Sequence, residues 1–202
     1  MLGYFLANAT LGRSVQTNIV CEAVRRLIKA GFHPVALVMD QHATNQKMAE
    51  ELGVTLENPT FTVDSTEVVC LYDNPHLFKS IRNNLSNKNI LLDEIISFKY
   101  IRDLYSKDVE NVPRIVPGLS KKAITLPPFS KMNVGIATKT LSRTTAKGLI
   151  FYVEEEILPK EALATATFCE TMDNLFDCFN SRFEKDLAKV SVDIHAVLNR
   201  KK

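Results

Sequence analysis

Three groups of residues have the types and spacing that chemistry requires. The first is Asp40, which closes the apolar run Val35-Ala36-Leu37-Val38-Met39 and precedes the turn Gln41-His42-Ala43-Thr44-Asn45. Sheet proteins place reactive groups at the carboxyl ends of such strands. Two-metal phosphoryl transfer gathers several acidic oxygens around divalent ions about 3.5–4 Å apart. Asp40 suits such a centre as one donor, and it equally suits the cap of the next helix. The second group is the block Asp73-Asn74-Pro75-His76-Leu77-Phe78-Lys79-Ser80-Ile81-Arg82-Asn83-Asn84-Leu85. Asp73 and His76 share a face on a first helical turn, and Lys79 and Arg82 extend the polar row. The block reads as a capped helix with a basic outer face, as part of a metal site, or as a basic row facing phosphate. Two ligands are too few for a closed metal site. The third group is Asp173 and Asp177, four apart and repulsive unless a cation or hydrogen-bond donor lies opposite. The N1–H and N2–H₂ of guanine are donors of that kind; exposure of both carboxylates to solvent is the alternative.

Other chemistries are excluded by what the 202 residues lack. There is no GxxxxGK[ST], and Ala146-Lys147-Gly148 is no phosphate loop; GxGxxG, GxSxG, HExxH and zinc-finger spacing are absent too. Cys21, Cys70, Cys169 and Cys178 are scattered without a CxxC pair and read as small core residues in a reducing compartment. A net charge of +2 with no long basic tract requires any DNA-binding surface to be local. No run of about 18 apolar residues offers a membrane span, and the opening MLGYFLANATLGRS lacks the basic start of a secretory signal.

The elements that must hold these residues change character along the chain. Tyr4-Phe5-Leu6-Ala7 reads as a short strand, and Ser14 as the cap of a helix with its stripe at Val15, Ile19, Val20, Ala23, Val24, Leu27 and Ile28, closed by Gly31. The run before Asp40 has the composition of a strand buried on both faces. A short helix with Asn45, Met48 and Leu52 stops at Gly53; strands over residues 60–63 and 67–72 follow, joined by Asp64-Ser65-Thr66. Asn74-Pro75 opens a helix with Leu77, Phe78, Ile81 and Leu85, and Phe98, Ile101, Leu104 and Tyr105 mark another. Pro113, Pro117, Pro127 and Pro128 bracket a loop-rich stretch. Pro128 opens one long helix through Met132, Ile136, Leu141, Leu149 and Ile150. Residues 161–183 form a last helix that buries Leu163, Ala166, Cys169, Phe176 and Phe179. The expected fold class is α/β over residues 1–72 plus all-α over residues 73–202.

The series Val38-Met39-Asp40-Gln41 through Asn45, Leu52-Gly53-Val54, D-x-P-H-L-x-K-x-I-R-N-N-L over residues 73–85, Lys131-Met-x-Val134, Leu141-Ser142 and Phe176-Asp177-x-x-Asn180-Ser181-Arg182 resembles the P-element transposases and their THAP-domain relatives. The likeness covers nearly the whole chain, and the block at 73–85 is its most specific part. It implies an incomplete ribonuclease-H-like sheet over residues 1–72 and a helical insertion over residues 73–202. It implies DNA (transposon ends) and GTP as partners, Mg²⁺ as a cofactor, a homo-oligomer as an open question, no membrane, and a nuclear location. Asp40 corresponds to the second catalytic, metal-binding carboxylate, and Val134, Ser142, Asp173 and Asp177 to positions lining the nucleotide site.

The departures from that family shape the expectation of function. The family's first acidic ligand precedes the segment with which this chain begins, and its last follows the insertion. The chain therefore reads as a truncated product or as part of a longer protein, with GTP binding as its main capacity and no DNA cleavage alone. A missing central strand would leave the strand before Asp40 with an unpaired edge. Two other readings differ in class: an interaction module using Lys79, Arg82 and Lys121-Lys122 in salt-sensitive contacts without nucleotide, and a nuclease completed by carboxylates from other chains.

Overall fold

The computed structural model describes residues 11–180. The expected strand at Tyr4 and the motif residues Ser181 and Arg182 lie outside them. The chain divides into two compact units, Met1–Leu77 and Phe78–Lys202.

In the first unit, helix α1 (Arg13–Lys29) starts from Gly12 without a side-chain cap, not from Ser14. Its Val20, Val24 and Ile28 join a core with helix α2 (Ala43–Glu51) and the sheet. Strand β1 (Ala36–Met39) runs parallel to β3 (Thr66–Tyr72), with Ala36 opposite Val69 and Met39 opposite Tyr72. Strand β2 (Thr60–Val63) pairs antiparallel with β3, so the order is β1-β3-β2. The β2–β3 turn puts Asp64 (φ 46°) and Ser65 (φ 69°) in the left-handed region, the backbone that a two-residue hairpin needs to match strand twist.

The expectation of a strand buried on both faces is wrong. Met39, Phe61, Val63, Val68 and Cys70 face the helices. Val38 is 60% exposed, and Val69 and Leu71 share its open face. An apolar run resembles a doubly covered strand, but within this unit helices α1 and α2 form one layer. Among the described residues β1 pairs along one edge, with β3.

Helix α3 (Asn74–Asn87) places Phe78 and Leu85 in the core of the second unit. A two-residue ladder of β4 (Ile90–Leu91) and β5 (Ile95–Ile96) follows. Then come α4 (Phe98–Asp108), α5 (Lys121–Thr125), α6 (Pro128–Lys131), α7 (Val134–Thr140), α8 (Arg143–Glu154) and α9 (Ala162–Asn180). The expected single helix from Pro128 to Ile150 is therefore three. Asn133 Oδ1 accepts the Ile136 N–H at 3.0 Å and Ser142 Oγ accepts the Thr145 N–H at 3.2 Å. Each side chain satisfies a donor that a continuous helix would have used internally, and so starts a new helix.

Helix α8 packs along α9, and both meet α4. Gly148 lies where α8 passes the Val116 and Leu104 side chains; a Cβ there would sit 2.3 Å from Val116 Cγ2. On α9, Ala166 and Cys169 are buried and Phe176 meets Phe78 edge-on, at 4.9 Å between ring centres. Leu163 and Phe179, expected inside, are exposed. None of the four cysteines, all among the described residues, is in a disulfide. Burial, and after it the Asp173 charge, pushes the Cys169 thiol up to about 12; burial also raises that of Cys70.

Candidate functional site

Asp40 stands immediately after β1. Its Oδ1 accepts the His42 N–H at 2.9 Å and the Asn45 Nδ2 at 2.7 Å, which braces the turn into α2. One strand over, Asp73 follows β3 and donates its backbone N–H to Met39 O at 2.7 Å. The two aspartates thus succeed the last registered pair, Met39 and Tyr72, at the carboxyl edge of the parallel strands. Asp73 Oδ2 accepts the His76 N–H at 3.1 Å and pairs with His76 Nδ1. Asp73, one residue before the expected Asn74, therefore caps α3. Among the described residues no group of three or more His, Cys, Asp and Glu side chains is gathered to hold a metal ion.

The polar row beyond His76 does not face outward. Lys79 and Arg82 are buried, Arg82 completely. Arg82 Nε donates to Asn83 Oδ1 at 2.9 Å, and its Nη2 donates to Ser130 O at 3.0 Å and Lys131 O at 3.1 Å. Burial pushes the guanidinium pKa down. A signal for this was available: Phe78, Arg82 and Leu85 follow the spacing of one helix face, so Arg82 interrupts an apolar stripe. Of the four cations named for an external contact, Lys121 and Lys122 remain exposed.

The four expected nucleotide residues fall in two places. Val134 begins α7, beside a cleft of about 370 Å³ lined by Pro117, Gly118, Ser120, Asn133, Gly135 and Lys139, among others. Ser142 caps α8, and Asp173 of α9 lies beside the start of that helix. Ser142 Oγ donates to Lys139 O at 2.9 Å while capping α8. Arg143 places a cation beside Asp173 and Glu170 of α9. Its Nε lies 4.0 Å from Asp173 Oδ2 and 3.9 Å from Glu170 Oε1, and its Nη2 bonds Asn174 Oδ1. Burial first, then the Asp177 charge, raise the Asp173 carboxyl pKa, against the lowering effects of the Arg143 backbone N–H and guanidinium. Asp177, one turn further along, is exposed.

Sequence reasoning missed Asp108. It is wholly buried and accepts the Ile115 N–H at 2.7 Å, the Val116 N–H at 3.2 Å, Arg114 Nε at 3.0 Å and the Tyr152 hydroxyl at 3.3 Å. Arg114 also donates to Val116 O and Leu119 O and lies 5.4 Å from the Tyr105 ring centre. This network holds the loop after α4 whose residues 117–120 border the cleft. Its trace in the sequence is the spacing Ile101, Leu104, Asp108, an acid on an apolar stripe.

A small mixed sheet with an aspartate at its carboxyl edge is thus followed along the chain by a helical unit whose last described helix is the acidic α9. The family described as TNP-like, GTP-binding insertion domain matches residues 75–189, over half of the sequence, and the chain belongs to it. The TNP-like, RNase H N-terminal domain matches residues 1–53. The chain is 26% identical over 183 residues to the Transposable element P transposase of Drosophila melanogaster, covering 89% of this chain and 24% of that protein. It is 24% identical over 199 residues to the DNA transposase THAP9 of Homo sapiens, covering 90% of this chain and 21% of that one. The solved Drosophila P element transposase strand transfer complex contains a chain that is similar at a TM-score of 0.77 and 25% identity, over 88% of this chain and 40% of that chain. The chain thus spans about a quarter or less of the length of these curated relatives.

Proposed function

We propose that the helical part, residues 73–202, binds GTP, and that Asp177 reads the base. The observation that carries this reading is the difference between the two aspartates of α9. Asp173 is engaged by the N-terminus of α8 and by Arg143, whereas Asp177 is exposed one turn away in a chain of the GTP-binding insertion family. A carboxylate accepts both N1–H and N2–H₂ of guanine, and a charge-assisted pair of that kind is stronger than a neutral one. Ser142 and Val134 belong to the same proposed site, flanking α7 at its two ends. Titration calorimetry with GTP and magnesium tests the reading, with Asp177→Ala as control. Saturable heat that the substitution abolishes is expected; no heat from the parent chain would remove the nucleotide claim.

The remaining readings concern the α/β part. Residues 1–72 are proposed as part of a ribonuclease-H-like catalytic domain acting on DNA in the nucleus, with Asp40 as one ligand for Mg²⁺. The donor set around Asp40 does not by itself fit a two-ion centre, because one carboxylate cannot supply the shared oxygens that two cations require. No cleavage step is therefore assigned to these residues alone. The purified chain is expected to leave supercoiled plasmid intact in magnesium buffer. Nicking that disappears in Asp40→Asn would overturn that expectation.

A further inference from the structure

We infer that Arg82 and Asn83 are positioning residues for the nucleotide: by holding two main-chain carbonyls they set where the first turn of α7 stands. The inference rests on the GTP reading above. Arg82 Nη2 reaches both Ser130 O and Lys131 O, and Asn83 Nδ2 donates to Lys131 O at 3.2 Å. Asn83 Oδ1 in turn accepts Arg82 Nε, so the two side chains act as one clamp. The carbonyls they hold end α6, a helix of four residues. So short a helix has little cohesion of its own; Ser130 O also takes the Asn133 N–H at 3.2 Å, so the clamp and the start of α7 share that carbonyl.

Apolar packing does not substitute for the clamp. Phe129 is 93% exposed and Met132 68% exposed, so the large side chains flanking the held carbonyls point to solvent. The buried contribution of this segment is Ser130 together with the carbonyls that Arg82 takes. Two residues beyond Lys131, Asn133 caps α7 and lines the cleft beside Val134. A shift at residues 130–131 therefore moves the cleft wall directly. Burying a guanidinium is costly, and an apolar residue of similar volume often stabilises as well or better. What the guanidinium adds is a fixed, forked geometry that ties two carbonyls to a single place.

The test uses the whole chain with Arg82→Lys and the milder Asn83→Ala, since Asn83 is only half-buried. Two quantities are read: amide hydrogen exchange across residues 128–138 without nucleotide, and affinity for GTP with magnesium. Both variants are expected to keep the parent's unfolding midpoint within a few degrees. They are also expected to exchange faster at the first turn of α7 and to bind GTP about tenfold more weakly, as loss of a charge-assisted bond implies. GTP should restore slow exchange in the variants at saturating concentration. Parent-like exchange and parent-like affinity in folded Asn83→Ala would overturn the inference and leave the GTP reading intact. A parent chain that takes up no GTP would defeat both, while faster exchange confined to 128–138 would still identify the clamp itself. Faster exchange spread evenly over α8 and α9 would reduce Arg82 and Asn83 to general stabilisers.

Discussion

The Arg143 guanidinium, on the first residue of α8, lies 4.0 Å from the Asp173 carboxylate of α9, beside the Ser142 cap. Helix N-termini favour negative charge because their first N–H groups are unpaired. Asp173 has a cationic neighbour on α8 independent of any ligand, which offsets only part of the effect of burial and Asp177 on its charge. Asp177, one turn further along, is exposed and is the acid of the pair proposed to read a base.

The Asp173 relationship makes a prediction about pH. Burial and the neighbouring Asp177 raise its carboxyl pKa in the folded chain. A raised folded pKa contributes stability that is fully present below the unfolded value and is lost as pH rises through the folded one. The parent chain should therefore lose more melting temperature than Asp173→Asn as pH climbs from about 4 towards 7, the first value being close to an ordinary aspartate pKa. Thermal scans of both proteins across that window check it. Parallel curves would refute the assignment.

Asp177→Asn should exchange base preference instead of merely weakening binding. The new amide offers an N–H where the carboxylate offered an acceptor, which suits the C2 carbonyl of xanthine and not the guanine amino group. GTP affinity is expected to fall by about 10²-fold, the order of a lost pair of charge-assisted bonds, while xanthosine triphosphate should bind more tightly than to the parent. Competition titrations with the two nucleotides read the outcome.

Removing the buried acid of α4 should be costly. Asp108→Ala leaves the Ile115 and Val116 N–H groups and Arg114 without their common acceptor. Breaking one side of a buried, paired charge typically costs about 3–5 kcal/mol. Urea unfolding of the parent and the variant measures the difference; a loss under about 1 kcal/mol, the scale of an exposed pair, would contradict this account of the network.

Gly148→Ala tests the close passage of α8. Alanine favours a helix interior over glycine by about 1 kcal/mol. Here its Cβ would meet Val116 Cγ2 at 2.3 Å, and Val116 is itself 1% exposed with little room to retreat. Overpacking costs about 1–3 kcal/mol and should outweigh the propensity gain, giving a net loss on chemical unfolding.

Local punctuation was the most legible part of this chain. Gly31 and Gly53 end their helices at positive φ, and Asp64-Ser65 turns the hairpin, because left-handed backbone selects few residue types. Asp40 also stands where its place after an apolar run predicts. The tertiary placement of charge was harder to read. Lys79 and Arg82 look external by residue type, and only their spacing beside Phe78 and Leu85 hints otherwise. The three helices between Pro128 and Glu154 read as one because Met132, Ile136, Leu141 and Leu149 keep an approximate helical period across both breaks. Asn133 and Ser142 make those breaks through cap bonds, and residue type alone does not show whether such a side chain caps a helix or points to solvent. Asp108 escaped notice for a related reason: its partners lie in a loop whose course depends on the acid that holds it.

Cys70 and Cys169 sit inside different units, each with its thiol pushed away from the reactive thiolate, whereas Cys21 and Cys178 are partly accessible. Sulfur chemistry depends on the thiolate and on access, so the two interior thiols behave as dormant markers that wake only when their surroundings open. Alkylation kinetics followed by peptide mass mapping would then time the opening of the sheet portion and of the helical portion separately, within a single sample and with no residue altered.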